Sequence, residues 1–201
     1  IRAGIADKLE CLATRPKLPG TPAAAAIAET LEYVWACSAF AADACLRDEG
    51  LLEWLATQGR LLEQADAAWY AQTADAVTHP GSNDDAAFMS ALRILRRRQL
   101  VRIAWRDLAG YAPIDQILAE LSWLADACIN VACRQAAVLL GARHGLPKDR
   151  NGVELPLLVL GMGKLGGGEL NFSSDIDLVF LFAEHGETTG PRPLEYEEYF
   201  V

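Results

Sequence analysis

Basic side chains are scarce in this chain. It carries 18 Lys and Arg against 27 Asp and Glu, a formal net charge of −9. A general nucleic-acid binder shows a basic footprint, and this balance excludes that class. Paired cysteines are missing as well. The five cysteines (Cys11, Cys37, Cys45, Cys128 and Cys133) are odd in number and contain no C-x-x-C pair. That argues against a disulfide-stapled or zinc-ribbon domain. They lie in alanine-rich, helical sequence, so buried free thiols in a reducing cytoplasm are expected. His79, His144 and His185 fall in turn-forming sequence without metal-ligand spacing. No uninterrupted apolar run approaches the ~18–20 residues that cross a bilayer, and the opening residues are not expected to be a secretory leader. A soluble cytoplasmic protein that binds neither membrane nor nucleic acid is therefore expected. The chain opens at Ile1 without a methionine and stops within EYEEYFV, whose composition is helical. The expectation is a piece of a longer protein.

The length of 201 residues and a hydrophobic share of 52% allow one or two domains with a sizeable core. Residues 22–48 are rich in Ala, Leu and Glu, with Pro22 near the start, and read as helix. Residues 51–62 and 62–77 continue the pattern, punctuated by Gly50 and Gly59. HPGSND (79–84) is a turn, and Ser82, Asn83 and Asp84 are each candidate caps for a helix running to about Leu108, which Gly110 ends. Pro113 opens a helix in which Ile114, Ile117, Leu118, Leu121, Leu124, Ala125 and Cys128 recur at helical spacing, ending at Gly141. Trp35, Trp54, Trp69, Trp105 and Trp123 are expected in the core. Then RHGLPKDRNG (143–152) forms a linker, and PLLVLG (156–161) and DLVFLFA (177–183) have the length of buried strands. EHGETTGPRP is a polar loop, and LEYEEYFV opens a helix. The expected fold is α+β and mostly α: a helical domain over residues 1–150, then the N-terminal part of an α/β domain over 151–201.

The charge is uneven. Residues 151–201 hold 2 basic and 9 acidic side chains, and residues 1–150 hold 16 and 18. The acidic segment contains GMGKLGGGELNFSSDIDLVF (161–180), a glycine turn followed by Asp175 and Asp177. It is not a P-loop, because Leu165 stands where that loop needs Ser or Thr after Gly163-Lys164. Gly161, Gly163 and Gly166 match G-x-G-x-x-G, and Glu184 stands near the distance of a ribose-binding acid. But a dinucleotide fold needs a long helix after its glycines, and each helical glycine costs about 1 kcal/mol relative to alanine. That reading also leaves the D-x-D without a role.

Alternate residues of a strand share a face. Asp175 and Asp177 are expected to project together at a strand's beginning, with Ile176 and Leu178 toward the core. Two carboxylates so close repel each other unless a cation sits between them. Mg²⁺ takes one or two carboxylates and completes its shell with phosphate oxygens and water, and paired ions stabilise an in-line phosphoryl displacement. The order strand, glycine turn, short helix, D-x-D strand resembles the nucleotidyltransferase arrangement of the DNA polymerase β superfamily. The competing reading is a pair of solvated aspartates beside a mobile glycine loop.

The same twenty residues resemble the catalytic motif of the glutamine synthetase adenylyltransferase/adenylyl-removing family, whose long chains carry two such domains acting in opposite directions on one tyrosine of glutamine synthetase. LRRRQLVRIAWRDLAG (95–110) and QILAELSWLADACI (116–129) resemble the helical segment before the first of those domains. The NFSSDID variant is similar to the adenylyl-removing domain, and the adding domain tends toward GYSSDLD. The resemblance implies Mg²⁺-dependent phosphorolysis: inorganic phosphate attacks the AMP-tyrosine ester and releases ADP. It implies Asp175 and Asp177 as catalytic metal ligands, and Gly161, Gly163, Lys164, Gly166, Gly167 and Ser174 around the nucleotide or phosphate. Ser174 is equally readable as a turn cap, and Lys164 as a surface residue paired with Glu169. Adenylylated glutamine synthetase, the PII signal protein, phosphate, ADP and ATP are the implied partners. A third carboxylate, usual in this fold, is expected beyond Val201, leaving the site incomplete in this stretch. The adding domain and a non-catalytic docking module are the alternatives. Arg93, Arg96, Arg97, Arg98, Arg102 and Arg106 read either as a solvated, acid-paired helix face or as a docking surface for an acidic segment.

Overall fold

The computed structural model describes residues 7–10, 18–78 and 84–200. Helix α1 (Pro22–Cys37) begins where the Thr21 side chain accepts a hydrogen bond from Ala24 N–H at 3.1 Å, with Pro22 in the first turn. The stretch expected as one helix breaks at Ser38. That residue is extended, and its hydroxyl accepts from Ala41 N–H at 3.2 Å to start α2 (Ala39–Arg47). Helix α3 (Leu51–Thr57) is likewise short of the expected run. Gly59 and Arg60, the latter at φ 47°, turn the chain, and Asp66 caps α4 (Ala67–Asp75) through Trp69 N–H at 2.8 Å. Asp84 caps α5 (Asp85–Leu108) through Ala87 N–H at 3.0 Å. The other candidate caps, Ser82 and Asn83, and His79 lie outside the described residues.

Gly110 at φ 72° closes α5 as expected, and α6 (Ile114–His144) follows Pro113. It runs through Gly141, where the sequence pattern placed its end, and stops at Gly145 (φ 78°). A Cβ on Gly141 would stand 2.8 Å from Leu146 Cδ2, so this glycine serves close packing of the returning chain. Helix α6 is long and apolar enough to cross a membrane by length and composition. One side of it packs in the bundle core: Ile117, Leu121, Leu124 and Val131 join Tyr70 of α4 and Phe88 and Ile103 of α5. A second cluster unites Ile27, Val34 and Trp35 of α1, Cys45 of α2, Leu51 and Leu55 of α3, and Val101 and Trp105 of α5. Helix α5 therefore belongs to both. Trp35 and Trp105 are core residues as expected, while Trp54, Trp69 and Trp123 pack half-buried against the clusters. Cys37, Cys45, Cys128 and Cys133 are free thiols; Cys45 is buried as expected, Cys128 and Cys133 are half-buried, and Cys37, at the end of α1, is exposed. Cys11 lies outside the described residues.

Two of the six arginines fit neither surface reading. Arg102 and Arg106 are 0% and 2% exposed, and Glu120 of α6 is 0% exposed. Arg102 Nη1 donates to a Glu120 carboxylate oxygen and, at 3.1 Å, to the Tyr70 hydroxyl, which itself donates to Glu120 at 2.8 Å. Arg106 Nε lies 3.5 Å from the other carboxylate oxygen. Guanidinium N–H groups also reach backbone: Arg102 donates to the carbonyls of Gly59, Arg60 and Glu63, and Arg106 Nη1 to that of Leu61, while Arg106 Nε makes no hydrogen bond among the described residues. The network thus clamps the 59–63 turn onto α5. Burial pushes the Tyr70 hydroxyl far above its ordinary value. Burial also lowers Arg106, against the opposing pull of Glu120. Arg98 behaves as the paired-surface reading expects, forking onto Asp48 at 2.7 and 2.9 Å.

After the linker, β1 (Leu158–Gly161) and β2 (Leu178–Leu181) pair antiparallel, Leu158 opposite Leu181 and Gly161 opposite Leu178. Each is shorter than the apolar run that signalled it. Between them lies the single turn α7 (Gly163–Gly166), and α8 (Tyr196–Phe200) follows the polar loop. The mostly helical α+β class holds.

Candidate functional site: a glycine turn beside two aspartates

Gly161 ends β1, and the next N–H, of Met162, donates to the Asp177 carbonyl at 2.9 Å. That bond extends the ladder by one step and fixes Asp177 directly across from the glycine turn. Antiparallel pairing over so short a connection removes the dinucleotide reading, which needs a parallel pair and a long crossover.

The glycines have separable jobs. Gly163 (φ 53°) and Gly168 (φ 70°) occupy left-handed backbone at the two ends of the turn. A Cβ on Gly166 would collide with the Gly161 carbonyl oxygen, and one on Gly161 would stand 2.9 Å from Leu165 Cγ. The turn therefore closes tightly on the end of β1. The N–H groups of Gly166, Gly167 and Gly168 donate inside it, to the carbonyls of Met162, Gly163 and Leu165. Gly166 thus serves the close packing of the turn, a Cβ on Gly167 would meet only ordinary contacts, and the amides of both are already engaged.

Two leucines anchor this loop to the bundle. Leu165 and Leu170 are buried in the α6 cluster, and Leu170 N–H donates to Ser122 Oγ of α6 at 3.1 Å. Sequence reasoning passed over Leu165, Leu170 and Ser122. The available signal was two leucines bracketing a polar, glycine-rich stretch, which is how a loop is pinned at both ends.

Asp175 and Asp177 are both exposed, and both precede β2 instead of lying within it. Leu178 packs against the α6 cluster as expected, whereas Ile176, expected toward the core, is 42% exposed. Residue 176 precedes the ladder, and within β2 itself only Leu178 is partly covered, so the segment has little core for Ile176 to face. The two-stranded sheet itself leaves Leu158, Leu160, Phe180 and Leu181 exposed. Ser174 Oγ donates to Asn171 Oδ1 at 2.6 Å, so its hydroxyl closes the turn before the aspartates. Lys164 is exposed, and among the described residues no ion pair joins it to Glu169. Nor, among the described residues, does any group of three or more His, Cys, Asp or Glu form a metal cage. Two exposed carboxylates one residue apart fit an ion of the Mg²⁺ type, which draws its other ligands from water and phosphate.

With that geometry in hand, comparison with known proteins is informative. Residues 28–201 match the family model described as glutamate-ammonia ligase adenylyltransferase. A protein of Thioalkalivibrio sulfidiphilus, named bifunctional glutamine synthetase adenylyltransferase/adenylyl-removing enzyme, is 46% identical over 173 residues, covering 86% of this chain. Proteins of the same name from Nitrosococcus oceani and Shewanella loihica are 42% identical over 179 residues and 49% over 120, covering 86% and 60% of it. The chain spans 18% of the length of the first two relatives and 13% of the third. On the extent of the family match, the chain belongs to the glutamate-ammonia ligase adenylyltransferase family.

Proposed function

We propose that this chain is the helical lead-in and the opening of the adenylyl-removing nucleotidyltransferase domain of a bifunctional enzyme, with the sheet topology of the DNA polymerase β superfamily. The observation that carries the reading is the placement of Asp175 and Asp177, held exposed at the start of β2 by the Met162–Asp177 bond and the pinned glycine turn. The NFSSDID spelling favours removal over addition.

The reaction is phosphorolysis. An oxygen of inorganic phosphate forms a bond to the phosphorus of the AMP group, the bond from that phosphorus to the tyrosine oxygen breaks, and the phenolate takes up a proton. The products are ADP and unmodified glutamine synthetase. Asp175 and Asp177 would hold Mg²⁺, which when bound supplies charge neutralisation for the phosphoryl oxygens. Gly161 and Gly163 keep side-chain bulk away from the phosphate, and Lys164 offsets its charge. Ser174 holds the turn and thereby the heading of Asp175. The intact protein acts in the cytoplasm on adenylylated glutamine synthetase and responds to the PII signal protein.

The test is direct. Full-length protein incubated with adenylylated glutamine synthetase, Mg²⁺ and phosphate yields ADP. Release of free AMP means hydrolysis and ends the phosphorolysis reading. ATP-dependent addition that is lost on changing Asp175, with removal intact, assigns this segment to the adding domain.

A further inference from the structure

A cavity of about 240 Å³ lies where α5 and α6 meet the segment carrying the motif. Leu100 of α5 and Leu121, Leu124 and Ile129 of α6 form apolar wall. Among the described lining residues, Arg96 is the one cation and Asp175 the one carboxylate, with Asn171 and Ser174 between them in the chain's approach to the aspartates. Arg96 also lines a second cavity of about 480 Å³, with Phe172 and Ser173 of the same segment. It therefore shares both cavities with the motif segment, the second also lined by Asp107.

Its charge is uncommitted. Arg98 forks onto Asp48, and Arg102 and Arg106 share Glu120. Arg96 is exposed and has no ion pair among the described residues. Its field reaches into the cavity, where it opposes the burial that raises the Cys128 thiol to about 11. A guanidinium presents a planar fork of donors that matches phosphate oxygens, and an apolar wall beside it strengthens the contact. Sharing a cavity with Asp175, whose site must admit an anionic substrate, such a cation has an electrostatic use.

We propose that Arg96 binds a phosphate oxyanion of the substrate at the Asp175–Asp177 site, so that the helical domain contributes a ligand to the transfer centre. The inference rests on the nucleotidyl-transfer reading given above. The oxyanion belongs either to the attacking inorganic phosphate or to the AMP group on tyrosine, and kinetics separate the two.

The experiment compares full-length wild type, Arg96→Ala and Arg96→Lys in ADP formation from adenylylated glutamine synthetase, varying phosphate and modified protein in turn. Loss of a charge-assisted bond raises the relevant KM by about ten- to a hundredfold in Arg96→Ala. A rise in the KM for phosphate places Arg96 on the nucleophile, and a rise in that for the modified protein places it on the AMP group; either supports the inference. Arg96→Lys recovers part of the loss, since it restores charge without the fork. Circular dichroism stays as in wild type. An Arg96→Ala enzyme within twofold of an active wild type in both KM values and kcat overturns the inference while leaving the site reading intact. Loss without lysine rescue, accompanied by altered circular dichroism, means a structural role and also overturns it. A wild type inactive in both removal and addition defeats the site reading, and this inference with it.

Discussion

Replacing Glu120 with glutamine should loosen the bundle far more than any other single-charge change in it. The substitution keeps the shape and removes one negative charge. It leaves Arg102 and Arg106, both almost fully buried, without a counter-ion. Breaking a buried pair in this way costs about 3–5 kcal/mol, because the stranded charge is the expense. Here one anion serves two cations, so the upper half of that range applies. The arginines have no route to water, being buried and tied to backbone, Arg102 by the Gly59, Arg60 and Glu63 carbonyls and Arg106 by that of Leu61. Amide hydrogen exchange of α5 and α6 in the full-length protein reads the effect. A loss of that size accelerates the slowest amides by roughly three to three and a half decades. Asp48→Asn is the control: Arg98 keeps 28% of its side chain exposed, so its guanidinium can reach water and the loss should stay well below that of Glu120→Gln. Exchange in Glu120→Gln no faster than in Asp48→Asn would refute the view that this carboxylate neutralises the core. Apolar replacement of the whole triad, harmless in some proteins, is no rescue here, because it would take their arginine donors from the Gly59, Leu61 and Glu63 carbonyls.

Asp175→Asn or Asp177→Asn should lower AMP removal by at least ~10² while leaving circular dichroism and melting temperature unchanged or raised, since a repelling carboxylate is neutralised. Addition measured on the same protein should survive; loss of addition alone would move the assignment to the other domain. The Arg98–Asp48 pair sets an acid-side dependence. The Arg98 hydrogen bond, with smaller help from its charge, holds the Asp48 carboxyl below its ordinary value. A depressed folded value means the contribution is present above the unfolded carboxylate value, near 4, and is lost as pH falls through the folded one. Wild type and Asp48→Asn should therefore converge in stability below that window in a pH-resolved denaturation series, and equal separation at every pH would remove this attribution.

What could be read from the sequence was set by local chemistry. The glycine turn, the two short apolar runs and the D-x-D announce themselves between residues 156 and 183, and the strands, the turn α7 and the antiparallel ladder form within that span. The breaks in the helical half were harder. Ser38 sits inside an alanine-rich run where its capping role competes with an uninterrupted helix, and nothing in its neighbours marks Arg60 for φ 47°. The arginines were misjudged for a different reason. Their partner Glu120 is on another helix, and burial of a charge is decided by that partner. A signal was present: Glu120 falls between Ile117, Leu121 and Leu124 on the apolar stripe of α6, a position where a carboxylate survives only if paired.

The placement of the aspartates follows from the same network. Glu120 holds α6 to α5, and two residues on, Ser122 receives the Leu170 N–H, while Leu165 and Leu170 seat the loop on the α6 cluster. From Leu170 the chain needs only Asn171 to Ser174, closed by their own side-chain bond, to reach Asp175. The contacts form an unbroken physical path from the buried triad to the carboxylates. The path is asymmetric in energy. Loosening α6 frees the loop's anchor, so Glu120→Gln should reach the site and weaken any chemistry there. Neutralising an exposed aspartate removes nothing that α6 leans on, so Asp177→Asn should leave the triad as it is. A catalytic pair carried on a short, glycine-rich segment has little core of its own, and its geometry is borrowed from the helix beneath it.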